Sequence, residues 1–164
     1  DRFWIELTGL NPSIDYKYQY LVDSLIKIAD PYSTLVLDET HDSGINSTTY
    51  PDMPSYPTGL TNHSVSTFKT GETAYSWNVT NFSKPAKVDL VIYEILIRDF
   101  DALHSFDAVK ARLDYIEDLG INAIQLMPIN EFDGNESWGY SPSFHMALDK
   151  YYGTKTAFKE LIDE

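Results

Sequence analysis

Leu119-Gly120-Ile121-Asn122-Ala123-Ile124-Gln125-Leu126-Met127-Pro128 is the stretch whose reading decides the fold. Residues 121–127 are mostly apolar and of strand length, and Pro128 closes them because it cannot donate to a central ladder. Gly120 marks the end of the preceding helix, since it tolerates the left-handed backbone that a helix terminus prefers. Upstream, Phe106, Val109, Leu113, Ile116 and Leu119 recur at the helical period, and Ser105 is placed to cap them. Before that helix, residues 88–97 form a long, β-branched run, which predicts a strand buried on both faces. Strand, helix and strand in this order make a parallel pair with a crossover. Downstream comes an aromatic loop broken by Gly139, Pro142 and Gly153, and then a helix with Phe158, Leu161 and Ile162 on one face, capped by Thr154 or Thr156. In barrels and open α/β sheets, ligands sit on long loops leaving the C-terminal ends of strands.

Taken with Trp138-Gly139-Tyr140 and Tyr152-Gly153-Thr154, the 119–128 stretch resembles the α-amylase family of glycoside hydrolases at its second barrel strand and the following loop. The resemblance implies that Tyr140 stacks on the sugar next to the scissile bond. Trp138 is a weaker candidate for the same cleft, which Tyr152 could also line, and the simpler reading makes both of them structural. A second resemblance lies in the run through Tyr16, Tyr18, Tyr20 and Val22-Asp23, followed by Ala29-Asp30-Pro31-Tyr32. It is similar to the end of the immunoglobulin-like sandwich that precedes the barrel in branching, debranching and some amylase enzymes. The implied fold class is α/β plus β: a partial (β/α)8 TIM barrel of two strands and helices over 86–164, preceded by part of an antiparallel β-sandwich and a connection over 1–85. The family's catalytic residues are then expected after Glu164, and none is carried by this chain. The Asp-x-Asn-x-Asp-Gly type of calcium loop is missing at 99–104, so no cofactor is expected here, although the resemblance is compatible with calcium in a longer parent.

The chain has 164 residues, a formal net charge of −13, a 43% share of hydrophobic residues and no cysteine. Nucleic-acid binding needs a basic patch to replace phosphate counterions, which argues against that class of partner. The acids are scattered and read as a solvated surface. No apolar run approaches the ~18 residues of a bilayer span. Lack of cysteine removes disulfides, thiol nucleophiles and thiolate metal sites. His104 and His145 lack metal-ligand spacing and read as a surface and a packed histidine respectively.

Towards the N-terminus, Phe3, Ile5 and Leu7 alternate as a strand, residues 9–13 supply a turn, and Tyr16, Tyr18 and Tyr20 form a second alternating run. A chain opening in such a strand is expected to belong to something longer. Short strands are expected before Pro31 and at 35–37. Residues 38–85 are rich in Ser, Thr, Asn, Pro and Gly, and read as a long connection packed on a neighbour, with short strands near 64–68 and 75–79.

Glycoside hydrolysis generally uses two carboxylates flanking the scissile bond. Glu94, Asp99, Asp101, Glu131, Asp133 and Glu136 fall near the predicted strand ends. The simpler reading pairs Glu94 with a neighbour such as Arg98 and leaves the others as solvated loop acids. The resemblance therefore points to part of a retaining α-glucan hydrolase acting on starch, glycogen or maltooligosaccharides, with this chain alone inactive. Two strands of a barrel that takes ~250 residues leave open edges and uncovered helix faces, so the remainder of the barrel or a self-associated copy is expected to be needed for stability. The alternatives are a branching or debranching enzyme, and a non-catalytic carbohydrate-binding module using the tyrosines at 16, 18 and 20.

Overall fold

The computed structural model describes residues 3–164. Five short strands come first: β1 (Tyr16–Tyr18), β2 (Tyr20–Val22), β3 (Ile26–Ile28), β4 (Val36–Leu37) and β5 (Val65–Phe68). They form an antiparallel sheet in the order β1-β5-β4 and a separate β2-β3 hairpin. The tyrosine run is therefore divided: Tyr16 and Tyr18 pair with β5, Tyr16 opposite Phe68, while Tyr20 pairs with Ile28 of β3, and none of them pairs with residues 3–7. Those N-terminal residues are not a strand, and Phe3, Trp4 and Ile5 lie exposed. Alternation alone could not make them one, because a strand needs a partner for its backbone as well as a face to bury.

The connection from 38 to 85 carries the expected strand at β5, whereas residues 75–79 remain irregular and are held by one side chain. Asp163 accepts hydrogen bonds from the Asn78 backbone N–H at 2.9 Å, the Val79 backbone N–H at 2.9 Å and the Tyr75 hydroxyl at 3.1 Å. These backbone donors hold its carboxyl below the usual range. Loop backbone that would otherwise seek strand partners is satisfied there instead.

The second half contains β6 (Ile92–Ile95), α1 (Ile97–Phe100), α2 (Phe106–Lys110), α3 (Leu113–Asp118), β7 (Ala123–Leu126), β8 (Asn130–Phe132), β9 (Pro142–Leu148) and α4 (Lys155–Asp163). β6 and β7 are parallel, Ile92 opposite Ala123 through Ile95 opposite Leu126. The strand over 88–97 is shorter than its sequence suggests: Lys87–Asp89 is a 3-10 turn and Ile97 already starts α1. It is also not buried on both faces. Ile95 is covered, while Val91, Ile92 and Tyr93 are exposed, and among the described residues β6 pairs with β7 alone. Asn122 fixes the strand's start, accepting from the Val91 N–H at 2.7 Å and donating to the Asp89 carbonyl at 2.9 Å.

The crossover helix is broken at Ala111–Arg112, so its apolar positions are divided between α2 and α3. Phe106, Val109 and Ile116 are buried, and Leu119 at the end is exposed. Ser105 caps α2 by accepting from the Ala108 N–H at 3.2 Å. Gly120 takes φ +80 after α3, with its N–H on the Glu117 carbonyl at 2.7 Å and the Ile121 N–H on Ile116 at 3.4 Å. This is the two-bond helix stop that a left-handed residue permits. Thr154, not Thr156, caps α4, accepting from Ala157 at 3.0 Å. Ile95, Phe106, Phe132, Tyr152 and Leu161 meet in the main core. A smaller cluster joins Ala29 and Val36 to Ala147 of β9, with Phe144 packed against it.

Candidate functional site

The aromatic loop runs from 133 to 141 between β8 and β9. Those strands pair antiparallel with two register irregularities, Asn130 facing Leu148 but Glu131 facing Phe144 and Phe132 facing Pro142. Gly139 has φ +83, and a Cβ at this position would come within 2.2 Å of the Pro128 carbonyl oxygen. No other residue type passes there without displacing the backbone at the end of the β7 segment. The Ser137 hydroxyl accepts from the Gly139 N–H at 3.0 Å, tightening the turn. On either side of the buried glycine, Trp138 and Tyr140 remain 62% and 64% exposed. No aromatic stacking partner for either ring is present among the described residues. Tyr152, by contrast, is buried between Phe106 and Phe132, the structural place expected for it.

Beneath the loop lies an ionic cluster that the sequence reading missed. Lys150 is 2% exposed; its ammonium contacts the Glu131 carboxylate and lies 3.3 Å from Asp42 Oδ1. Burial opposes the ammonium's charge, but Glu131 and Asp42 outweigh it and raise its pKa. Asp149 adds a third carboxylate, accepting from the Tyr151 N–H at 2.9 Å and the Phe132 N–H at 3.2 Å. Three buried carboxylates around a single ammonium leave net negative charge, so the cluster holds protons that exposed acids would release. Burial pushes Glu131 up to about 7 and Asp149 up to about 6. Glu131 Oε2 is buried without a hydrogen-bond partner, beside a cavity of about 40 Å³ that Glu131, Asp42 and Lys150 help to line. Glu131 is thus not a solvated loop acid. Adjacent opposite charges at Asp149-Lys150, set in a largely apolar and aromatic run, were the available signal.

Glu94 is exposed and does not pair with Arg98, whose guanidinium instead meets its neighbour Asp99 at 2.7 Å. The shorter β6 strand leaves Glu94 on an uncovered sheet. Asp101 pairs with Arg112 at 3.0 Å, and Asp133 and Glu136 are exposed. The two histidines exchange their expected places. His104 is half-buried, stacked on Tyr151 and in contact with the Arg98 carbonyl, while His145 is exposed on β9. No cluster of three or more metal-ligating His, Asp or Glu side chains occurs among the described residues.

A parallel strand pair joined by helices, with an aromatic loop on the following strands, is a unit of the α/β class. Residues 98–164 match the family model for the alpha-amylase catalytic domain. Over all 164 residues the chain is 28% identical to a malto-oligosyltrehalose trehalohydrolase of Saccharolobus solfataricus, covering 25% of that protein. Over 73 residues, 44% of the chain, it is 40% identical to the enzyme of the same name in Mycobacterium tuberculosis, covering 13% of it. A Salmonella typhimurium protein assigned as an alpha amylase superposes with a TM-score of 0.70 at 25% identity, over 96% of this chain and 23% of that one. A group B Streptococcus pullulanase, solved with maltotetraose, superposes with a TM-score of 0.52 at 26% identity, over 81% of this chain and 19% of that one. The likeness to the α-amylase family is carried by residues 98–164, and the chain spans about a quarter of the relatives that match it from end to end.

Proposed function

We propose that the chain contributes the first two barrel strands and a glucan-binding loop to a retaining α-glucan hydrolase. The observation that carries this reading is the pair of exposed rings at Trp138 and Tyr140, held out from a loop whose glycine is locked against Pro128. A tyrosine ring suits a sugar because its apolar face covers ring C–H groups while its hydroxyl bonds outward. The parent enzyme would work by acid-assisted departure of the leaving sugar, formation of a glycosyl-enzyme and attack by water. Residues 1–85 are assigned to the end of a β-sandwich with its connection, and 86–164 to the start of the catalytic barrel. The exposed apolar side of β6, with Val91, Ile92 and Tyr93, fits a surface covered by further barrel strands or by a second copy of the chain. A debranching enzyme is a close variant, favoured by the likeness to a pullulanase bound to maltotetraose.

The tyrosines of β1 and β2 offer less to a ligand. Tyr16 stacks on Phe68 at 5.4 Å, and the Tyr18 and Tyr20 hydroxyls are both taken by Asp30, at 2.8 and 3.0 Å. Pelleting with insoluble starch separates the two surfaces. Tyr140→Ala is expected to weaken retention about tenfold, equivalent to about 1.4 kcal/mol, and Tyr18→Ala to leave it unchanged. Retention that survives Tyr140→Ala but falls with Tyr18→Ala would transfer the binding to the tyrosine strands.

A further inference from the structure

The β8–β9 ladder is a poor support for a binding loop. Between the Asn130–Leu148 pair and the Glu131–Phe144 pair, β9 contains three residues that β8 does not match, so backbone pairing alone does not hold the loop's two ends in one register. Beyond the Asp149 N–H bond to the Ile129 carbonyl at 2.9 Å and the Asn130 side-chain amide's bond to the His145 carbonyl at 2.7 Å, what crosses this irregular ladder is side-chain chemistry. Lys150, just beyond β9, reaches Glu131 on β8 and Asp42 behind β4. Its neighbour Asp149 accepts from the backbone of Phe132 at 3.2 Å. Asn135, inside the loop, donates to the His41 carbonyl at 2.9 Å, one residue from Asp42.

We propose that Lys150 is a positioning residue for the sugar platform: by tying β8, the end of β9 and the segment behind β4 to one buried ammonium, it fixes where loop 133–141 presents Trp138 and Tyr140. The inference rests on the platform reading of Tyr140 but concerns a different residue, which touches no ligand. A buried ammonium serves this purpose better than an apolar side chain of similar length. Its partners must approach from defined directions, whereas apolar contact tolerates sliding along the bulged strand.

The test uses the full chain labelled with 5-fluorotryptophan, the Trp138 resonance being assigned with Trp138→Phe. Lys150→Met alone strands buried carboxylates and can unfold the protein, so the informative variant combines Lys150→Met with Glu131→Gln and Asp42→Asn, which removes the ammonium together with both carboxylates it contacts. Amide exchange in 133–141 is expected to accelerate at least ~10-fold, and the Trp138 fluorine line to move towards its solvent-exposed position, with exchange in α2 and α4 unchanged. Maltotetraose binding should weaken together with the loop change. Cutting the exposed Lys110–Glu160 pair by Lys110→Met should leave the loop as it was. Wild-type loop exchange and an unmoved Trp138 line in the combined variant would overturn the proposal. So would acceleration spread equally over α2 and α4, which would make Lys150 a general stability residue. Failure of the platform reading has a separate signature: maltotetraose binding unaffected by Tyr140→Ala, whatever the loop dynamics.

Discussion

At the residue scale, Glu131 is the most consequential side chain whose burial the sequence did not reveal. Its carboxyl titrates near 7 because burial, with Asp149 and Asp42 nearby, outweighs the help of Lys150. A raised carboxyl means that the folded state binds its proton more tightly than the unfolded chain does. The stabilisation is therefore present below the ordinary glutamate range and is lost as pH rises through about 7. Asp149, held near 6, acts in the same direction. Thermal melting of the full chain is expected to fall between pH 5 and pH 8, with Glu131 supplying at most roughly 3 kcal/mol of that change. Glu131→Gln imitates the protonated form and should shrink the slope. A melting temperature that rises over this window, or a slope indifferent to Glu131→Gln, would show that the carboxyl is ionised throughout.

At the scale of elements, local punctuation was legible and pairing was not. Ser105, Gly120 and Thr154 announce helix ends through chemistry confined to three or four residues; the structure uses Ser105 and Gly120 as read and takes Thr154 from the two threonines that could cap the last helix. β7 was readable because a short apolar run sits between Gly120 and Pro128. Residues 3–7 and β6 misled for one shared reason: period and β-branching say that a segment can be a strand, while its extent and cover depend on neighbours remote in sequence. The ionic cluster was hidden for the same cause, since Asp42, Glu131 and Lys150 lie far apart along the chain and meet only after β9 packs on the N-terminal sheet. The caps give a direct check. Ser105→Ala should destabilise the chain by about 1 kcal/mol, read as a lower urea midpoint, and Ser105→Asp should restore most of it. An unchanged midpoint in Ser105→Ala would mean that the Ala108 N–H finds another acceptor.

At the scale of the whole molecule, the question is whether this arrangement can cleave a glycosidic bond by itself. Double displacement needs an acid and a nucleophile converging on one sugar from a closed site. The six carboxylates near the strand ends do not offer that pair. Asp99 and Asp101 are each tied to an arginine, Glu131 to Lys150, and Glu94 faces outward from a sheet with one partner strand. Asp133 and Glu136 stay in solvent on the aromatic loop, outside the closed, water-excluded site that this chemistry uses. Binding without turnover is the expected behaviour: incubation of the purified chain with maltotetraose should release no new reducing ends above the uncatalysed background, while the same preparation retains glucan through Tyr140. Release that disappears with Glu94→Gln or Asp133→Asn would place a working carboxylate in these two strands and overturn the assignment of this chain to scaffold and platform. Release that persists in both variants would have to be traced by separating the preparation, because a contaminating hydrolase would fractionate away from the chain and an intrinsic site would not.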